Sequence, residues 1–298
     1  MYEISNYLKK NNIKPRGYHK LGKAILVDTS DSKIIVKEKT RENTEIFKYL
    51  ESRNFDYYPK LISEDDEYEL IEYIEDVEMP LEQKMTDMID LVSMLHAKTT
   101  FYKEIDLDEY KEIYEDILGN IEYLNSHYYD LITLIETKVY MSPKEYLLAR
   151  NITIIFETLG DCYRLTNDWY QLVNDKNKRR YVVVHNNLEV DHFLKDRSSY
   201  LISWDKSKID SPIFDLYKLY KKQGLDYDFE TILKRYERSY PLLEEEKKLL
   251  YILILLPDKI EFDDNEYKMC EKISDMIDMI YKSRSIVLKN NFENTKTS

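Results

Sequence analysis

Val184-His185-Asn186-Asn187-Leu188-Glu189-Val190-Asp191-His192-Phe193-Leu194, then Leu201-Ile202-Ser203-Trp204-Asp205, then Pro212-Ile213-Phe214-Asp215-Leu216, form the most informative part of the chain. Two short apolar runs, Tyr181-Val182-Val183-Val184 and Tyr200-Leu201-Ile202, frame the first piece. Brevity and β-branched content favour strands over helix there. Between them lies a polar loop dense in groups that donate, accept or ligate. Taken singly, its residues say little. A histidine at a strand end is most often a satisfied core residue. Asp205 is able to cap the segment after it, and Asp215 at a helix start suits the helix dipole. Their joint spacing carries the information.

Upstream, Ala24-Ile25-Leu26-Val27 and Lys33-Ile34-Ile35-Val36-Lys37 flank the polar cluster Asp28 to Ser32, which reads as a hairpin. Thr40 to Arg53 reads as a helix with Ile46, Phe47 and Leu50 on one face. Two more strands follow, Leu61 to Ser63 and Tyr68 to Ile74. Glu75 to Pro80 is a connector. Beyond it the periodicity is helical: Leu81 to Lys98, Leu107 to Leu124, Tyr128 to Val139 and Pro143 to Leu172. Asn174-Asp175-Lys176-Asn177-Lys178-Arg179-Arg180 reads as a solvated loop. Helices resume over Ile213 to Tyr220, Phe229 to Tyr236, Leu243 to Leu256 and Asp263 to Leu288, before a polar, frayed tail from Asn290 to Ser298.

Composition narrows the function classes. The 298 residues hold 44 Lys and Arg against 57 Asp and Glu, a net charge of −13. That field repels phosphate backbones and anionic lipids, so neither nucleic acid nor membrane is an expected partner. Only 5 glycines occur, against the usual ~7% of residues, and no G-x-G-x-x-G or Walker loop is present. Most of the 28 tyrosines read as boundary residues with buried rings and wet hydroxyls. Cys162 and Cys270 stand far apart with no C-x-x-C, which gives zinc and redox chemistry no support. Met1 to Ile4 lacks the basic-then-apolar pattern of a signal peptide, and the longest apolar run, Leu249 to Leu256, is far short of the ~20 residues that span a bilayer. The expectation is a cytoplasmic protein with reduced thiols.

The spaced segments resemble the phosphotransfer core of the aminoglycoside phosphotransferase and choline-kinase-like family, including its spore-coat-kinase-like members. The family pattern is H-G-D-x-x-x-x-N, a strand ending I-D-[WF]-[DE], and a later D-L. The resemblance implies an α+β, protein-kinase-like two-lobed fold: a small antiparallel-sheet N-terminal lobe over residues 1–75 and a large, mainly helical C-terminal lobe over 76–298. It matches Asn187 to the catalytic Asp, His192 to the metal-binding Asn and Ser203 to the metal-binding Asp, while His185, Trp204, Asp205 and Asp215 are retained. It also matches Lys37 to the lysine that reaches nucleotide phosphates. Glu45 is the first choice, and Glu42 the second, for the helix glutamate that pairs with that lysine. Leu95-His96-Ala97 is similar to the leucine-histidine pair of the family's first large-lobe helix. Gly17 and Gly22 alone stand near the glycine-rich loop position.

The implied chemistry is degraded in three places. Asn187 accepts a hydrogen bond but cannot act as a general base, a loss worth ~10²–10⁴ in rate. Ser203 offers a neutral hydroxyl and His192 a nitrogen where Mg²⁺ wants hard oxygen. Asp205, two positions from Ser203 and able to share its face, is the candidate substitute ligand. The resemblance thus implies a pseudokinase with residual ATP binding and a weakened Mg²⁺ site, taking a nucleotide, a small molecule or a protein as partner. The alternatives are an active ATP-dependent phosphotransferase of hydroxyl acceptors with a rearranged metal site, and a protein-interaction scaffold that binds no nucleotide.

Overall fold

The structure, a computed structural model, describes residues 2–30, 32–39 and 44–294. Packing divides the chain into two compact units, residues 1–99 with 183–209, and residues 100–182 with 210–298.

The first unit opens with helix α1 (Tyr2–Lys10), which the sequence reading omitted. Strands β1 (Gly17–Leu21), β2 (Ala24–Asp28) and β3 (Lys33–Glu38) follow, then helix α2 (Thr44–Ser52) and strands β4 (Leu61–Glu64) and β5 (Tyr68–Glu72). The sheet order is β1-β2-β3-β5-β4, antiparallel throughout. Period-two alternation sets its two faces. Val27, Ile34, Val36, Tyr68 and Leu70 are buried on one face against Ile4, Tyr7 and Leu8 of α1. The i, i+3, i+4 spacing of those three was the signal for the missed helix. The other face carries Ile35 and Lys37 of β3 beside Glu69 and Ile71 of β5, with Lys37 opposite Glu69. The β1–β2 turn has only two residues, Gly22-Lys23, between paired Leu21 and Ala24, and Gly22 takes φ +58° as such a tight turn requires.

Helix α3 (Leu81–Thr99) belongs to this unit and buries Met85, Met88, Leu91, Val92 and Leu95. The 183–209 segment returns against it as strands β8 (Phe193–Lys195) and β9 (Ser199–Leu201), an antiparallel pair. Backbone bonds tie this return to the sheet's loops. Val77 N–H donates to the Lys195 carbonyl at 2.7 Å, and Leu201 N–H to the Tyr57 carbonyl at 2.9 Å. The division of packing therefore does not fall at residue 75. α3 and the late loop fasten to the small sheet's connections, which a linear reading cannot anticipate.

The second unit is mainly helical: α4 (Leu107–Glu136), α5 (Pro143–Val173), α6 (Ile213–Gln223), α7 (Phe229–Ser239), α8 (Glu244–Leu255) and α9 (Glu266–Asn294). α5 is its hub, packing against α4, α8 and α9. Strands β6 (Phe101–Glu104) and β7 (Lys178–Val184) pair antiparallel, Phe101 opposite Tyr181. Three expectations are corrected here. The two helices read over 107–139 are one, because Leu124 and Tyr128 are buried on the same continuous face across the polar Asn125-Ser126-His127. The tail is helical to Asn294, and the rest lies outside the described residues. Lys178 to Arg180 is strand, and Arg180 is buried. No helix among the described residues is long and apolar enough to cross a membrane.

Arg180 explains the misread loop. Its Nε donates to Glu246 Oε1 at 2.9 Å, Nη2 donates to Glu246 Oε2 and to the Pro241 carbonyl, and its guanidinium lies over the Tyr240 ring, 4.4 Å from the centroid. Both ions of the pair are only 8% exposed. Breaking a buried pair leaves an uncompensated charge. Glu246→Ala is expected to lower unfolding free energy by about 3–5 kcal/mol, read from the denaturant midpoint. Replacing Arg180 and Glu246 together with leucine is expected to recover most of it. A loss under about 1 kcal/mol for the single change would show that the pair is not buried in solution.

Candidate functional site

The site is built from β3, β5 and the 185–205 return, all within the first unit. Lys37 Nζ donates to Asp205 Oδ1. The lysine side chain is 18% exposed and the aspartate 39%, so the pair sits at the rim of the buried region. Glu69 lies opposite Lys37 on β5. Desolvation raises its carboxyl above the ordinary value despite the attraction of Lys37, and the Asp205 charge pushes the same way. Two residues further, just past the end of β3, Lys39 Nζ meets Glu64 Oε2 at 3.0 Å. Lys37 and Lys39 thus each carry a carboxylate partner.

The return that delivers Asp205 is held by its own backbone and rings. His185 is fully buried and its Nε2 lies 2.8 Å from the Ile202 carbonyl. A carbonyl only accepts, so Nε2 carries the proton. The His185 ring meets Trp204 edge-on at 4.8 Å, and Trp204 Nε1 donates to the Leu201 carbonyl at 2.7 Å. Trp204 packs in turn among Phe47 of α2, Phe55 and Tyr58, with centroids 6.0, 6.3 and 6.1 Å away. The Trp204–Lys206 segment is a short 3₁₀ turn. With Trp204 anchored, the next side chain points to Lys37.

Two residues of this return adopt left-handed backbone: Asn186 at φ +63° and Ser203 at φ +65°. Asn186 stands where the H-G-D pattern has glycine. Asparagine tolerates this region better than other residues because its short amide bonds locally, and Asn186 Nδ2 donates to the Lys206 carbonyl at 2.9 Å. Sequence reasoning passed over Asn186, although an amide at a glycine position was the available signal. Ser203 holds a strained conformation of the kind that clusters at functional sites.

Each singled-out residue has a definite place. Asn187 is half-buried. Its carbonyl lies 2.7 Å from His192 Nδ1, so that nitrogen donates and the neutral ring keeps its lone pair on Nε2. The rings of His185 and His192 are 6.5 Å apart. Asp191, one residue before His192, is exposed. Glu45 is exposed on the first turn of α2, and among the described residues the ion-pair partner of Lys37 is Asp205 rather than Glu45. Glu42 lies outside the described residues. His96 is fully buried in α3. Asp215 belongs to the second unit, fully buried in the first turn of α6.

Magnesium asks for several hard oxygens in near-octahedral array. Ser203 supplies a neutral hydroxyl, His192 a nitrogen, and the Asp205 carboxylate is bonded to Lys37. No group of three or more His, Cys, Asp or Glu among the described residues could hold a metal ion. This donor set does not fit Mg²⁺. For phosphate the fit is better, since Lys37 is retained. The two-residue β1–β2 turn, however, offers no long loop of backbone N–H groups.

No family model matches the chain, and no curated protein matches it. Solved structures do. An aminoglycoside phosphotransferase from Alicyclobacillus acidocaldarius subsp. acidocaldarius aligns with a TM-score of 0.69 at 8% identity, over 92% of each chain. A spectinomycin phosphotransferase in complex with ADP and spectinomycin aligns with a TM-score of 0.56 at 12% identity, over 95% of this chain and 98% of that one. Choline kinase LicA from Streptococcus pneumoniae aligns with a TM-score of 0.50 at 17% identity, over 97% of each. At such identities the likeness is one of fold. The chain has the α+β, two-lobed protein-kinase-like fold of aminoglycoside phosphotransferases and choline kinases.

Two outcomes follow from the local geometry. Asn186→Gly and Asn186→Ala both lose the bond to the Lys206 carbonyl, but only alanine pays the left-handed penalty of about 1–2 kcal/mol, so Asn186→Ala is expected to melt below Asn186→Gly; equal melting temperatures for the two would contradict the assigned conformation. Glu69 has a folded pKa above its unfolded value. Its ionisation therefore costs nothing below the ordinary carboxyl range and destabilises the fold as pH rises through that range and beyond. Glu69→Gln should raise the melting temperature over the parent near neutral pH and not near about pH 3.5. A gain confined to acid would reverse the sign.

Proposed function

We propose that the chain is a kinase-like protein in which phosphotransfer is lost or strongly reduced and a nucleotide site persists around Lys37. The observation that carries this reading is the coexistence of a retained β3 lysine with three altered positions on one return: Asn187, His192 and Ser203. Phosphoryl transfer needs held phosphates, neutralised charge and an oriented nucleophile. Lys37 supplies part of the first. Asn187 orients a hydroxyl without taking its proton. Ser203 and His192 do not supply the charged oxygens that would hold a cation. The ligand of this reading is ATP or a related nucleotide, with Mg²⁺ contributing little. A small molecule or a protein is the second partner.

A second reading is an active hydroxyl-acceptor phosphotransferase with a rebuilt site. Asp205 favours it, because a carboxylate stands beside the phosphate lysine although the matching position, Ser203, has none. Hydrolysis of ATP to water needs no acceptor and so separates the readings. The combined change Asn187→Asp, His192→Asn and Ser203→Asp restores the base and the oxygen donors. On the proposed reading the parent shows little Mg²⁺-dependent turnover, and the triple variant gains turnover or at least Mg²⁺-dependent nucleotide binding. Brisk turnover by the parent, abolished by Asp205→Ala, would establish the rebuilt enzyme instead. A folded triple variant that gains neither would leave a scaffold that takes no nucleotide.

A further inference from the structure

We infer that Asp205 is the specificity-determining residue of the Lys37 site, an internal counter-ion that any phosphate must displace before it reaches the lysine. The inference rests on the reading of Lys37 as a phosphate contact and adds what controls that contact.

Two features of the geometry support it. First, Asp205 is delivered, not adventitious. The Trp204 side chain ahead of it is locked among Phe47, Phe55, Tyr58 and His185, and the Trp204–Lys206 turn projects the carboxylate at Lys37 across 168 residues of sequence. Second, Lys37 and Lys39 are both already engaged by carboxylates. Lys37 faces Asp205 and Glu69, while Lys39 is held by Glu64. Three carboxylates face two ammonium groups. A polyphosphate arriving there meets a lysine already neutralised and a surplus negative charge, so like-charge repulsion opposes it. Asp205 is the carboxylate in direct contact, and at 39% exposure it has an open side toward which to swing. The site is thereby biased against free polyphosphate anions. Removing the Asp205 charge alone should release Lys37 without moving the turn, because Trp204 anchors the backbone.

The test measures binding of inorganic tripolyphosphate and of ADP by calorimetry, metal-free and then with Mg²⁺. It compares the parent, Asp205→Asn, Asp205→Ser and Lys37→Met/Asp205→Asn, each first shown to melt cooperatively. The two single variants guard against an effect particular to the asparagine amide. Metal-free, both are expected to bind tripolyphosphate about tenfold more tightly than the parent, the equivalent of ~1.4 kcal/mol, and the double variant is expected to lose the gain. Equal affinity in parent and single variants, a gain that persists without Lys37, or no binding by any of them would each overturn the inference. So would Mg²⁺ raising the parent to the level of Asp205→Asn, since Asp205 would then be a cation ligand. The ADP arm keeps the two claims separate. ADP binding that Asp205→Asn leaves unchanged overturns the counter-ion and leaves nucleotide binding standing. A tripolyphosphate gain with no ADP binding by any chain supports the counter-ion and overturns the nucleotide reading.

Discussion

The bond between His185 Nε2 and the Ile202 carbonyl, with Trp204 packed edge-on against the same ring, is the constraint on which the site depends. It closes the 185–202 excursion on itself. Ile202 N–H returns the tie by donating to the His192 carbonyl at 2.9 Å, and Phe193 pairs with Leu201. The loop is consequently fixed by buried groups, with a tie of its own from His192 Nδ1 to the Asn187 carbonyl. That arrangement explains how the loop tolerates altered chemistry. Asn187, His192 and Ser203 sit on this frame, and the tie from His192 Nδ1 is a side-chain one.

The consequence is a separation of frame from reaction. The frame consists of the antiparallel sheet with Lys37 on β3, α2 packed through Phe47 onto Trp204, and the return that ends in Asp205. On the proposed reading the reaction would need a base at 187 and oxygen ligands at 192 and 203, where the chain has an amide, an imidazole and a neutral hydroxyl. Ser203 carries no carboxylate, and Asp205, two positions on, contacts the lysine directly. A partly exposed ion pair of this kind contributes at most ~1 kcal/mol to stability. Its larger effect is on what the lysine can bind, because it lowers the positive potential that a phosphate would meet.

Much of this was legible in the sequence, for identifiable reasons. The β2–β3 hairpin announced itself by a polar turn between β-branched runs. The spacing from His185 to Asp215 indicated the fold that the solved structures share. Other features depended on partners distant in sequence. Arg180 looked like part of a solvated loop because Glu246, which buries it, comes 66 residues later. Asp205 looked like a cap or a spare ligand because its contact with Lys37 spans the two ends of the first unit. Strands β6 and β8, of four and three residues, are too short for periodicity to register. Helix α1 is legible in the i, i+3, i+4 spacing of Ile4, Tyr7 and Leu8.

The central claim is that Lys37 and Asp205 form a coupled pair in the folded protein, and a double-mutant cycle on unfolding free energy tests it most directly. Lys37→Met, Asp205→Asn and the combined variant are compared with the parent in denaturant, at low and at high salt. The account predicts a favourable coupling of about 0.2–1 kcal/mol at low salt that shrinks as salt rises. Strict additivity of the two changes at low salt would contradict it.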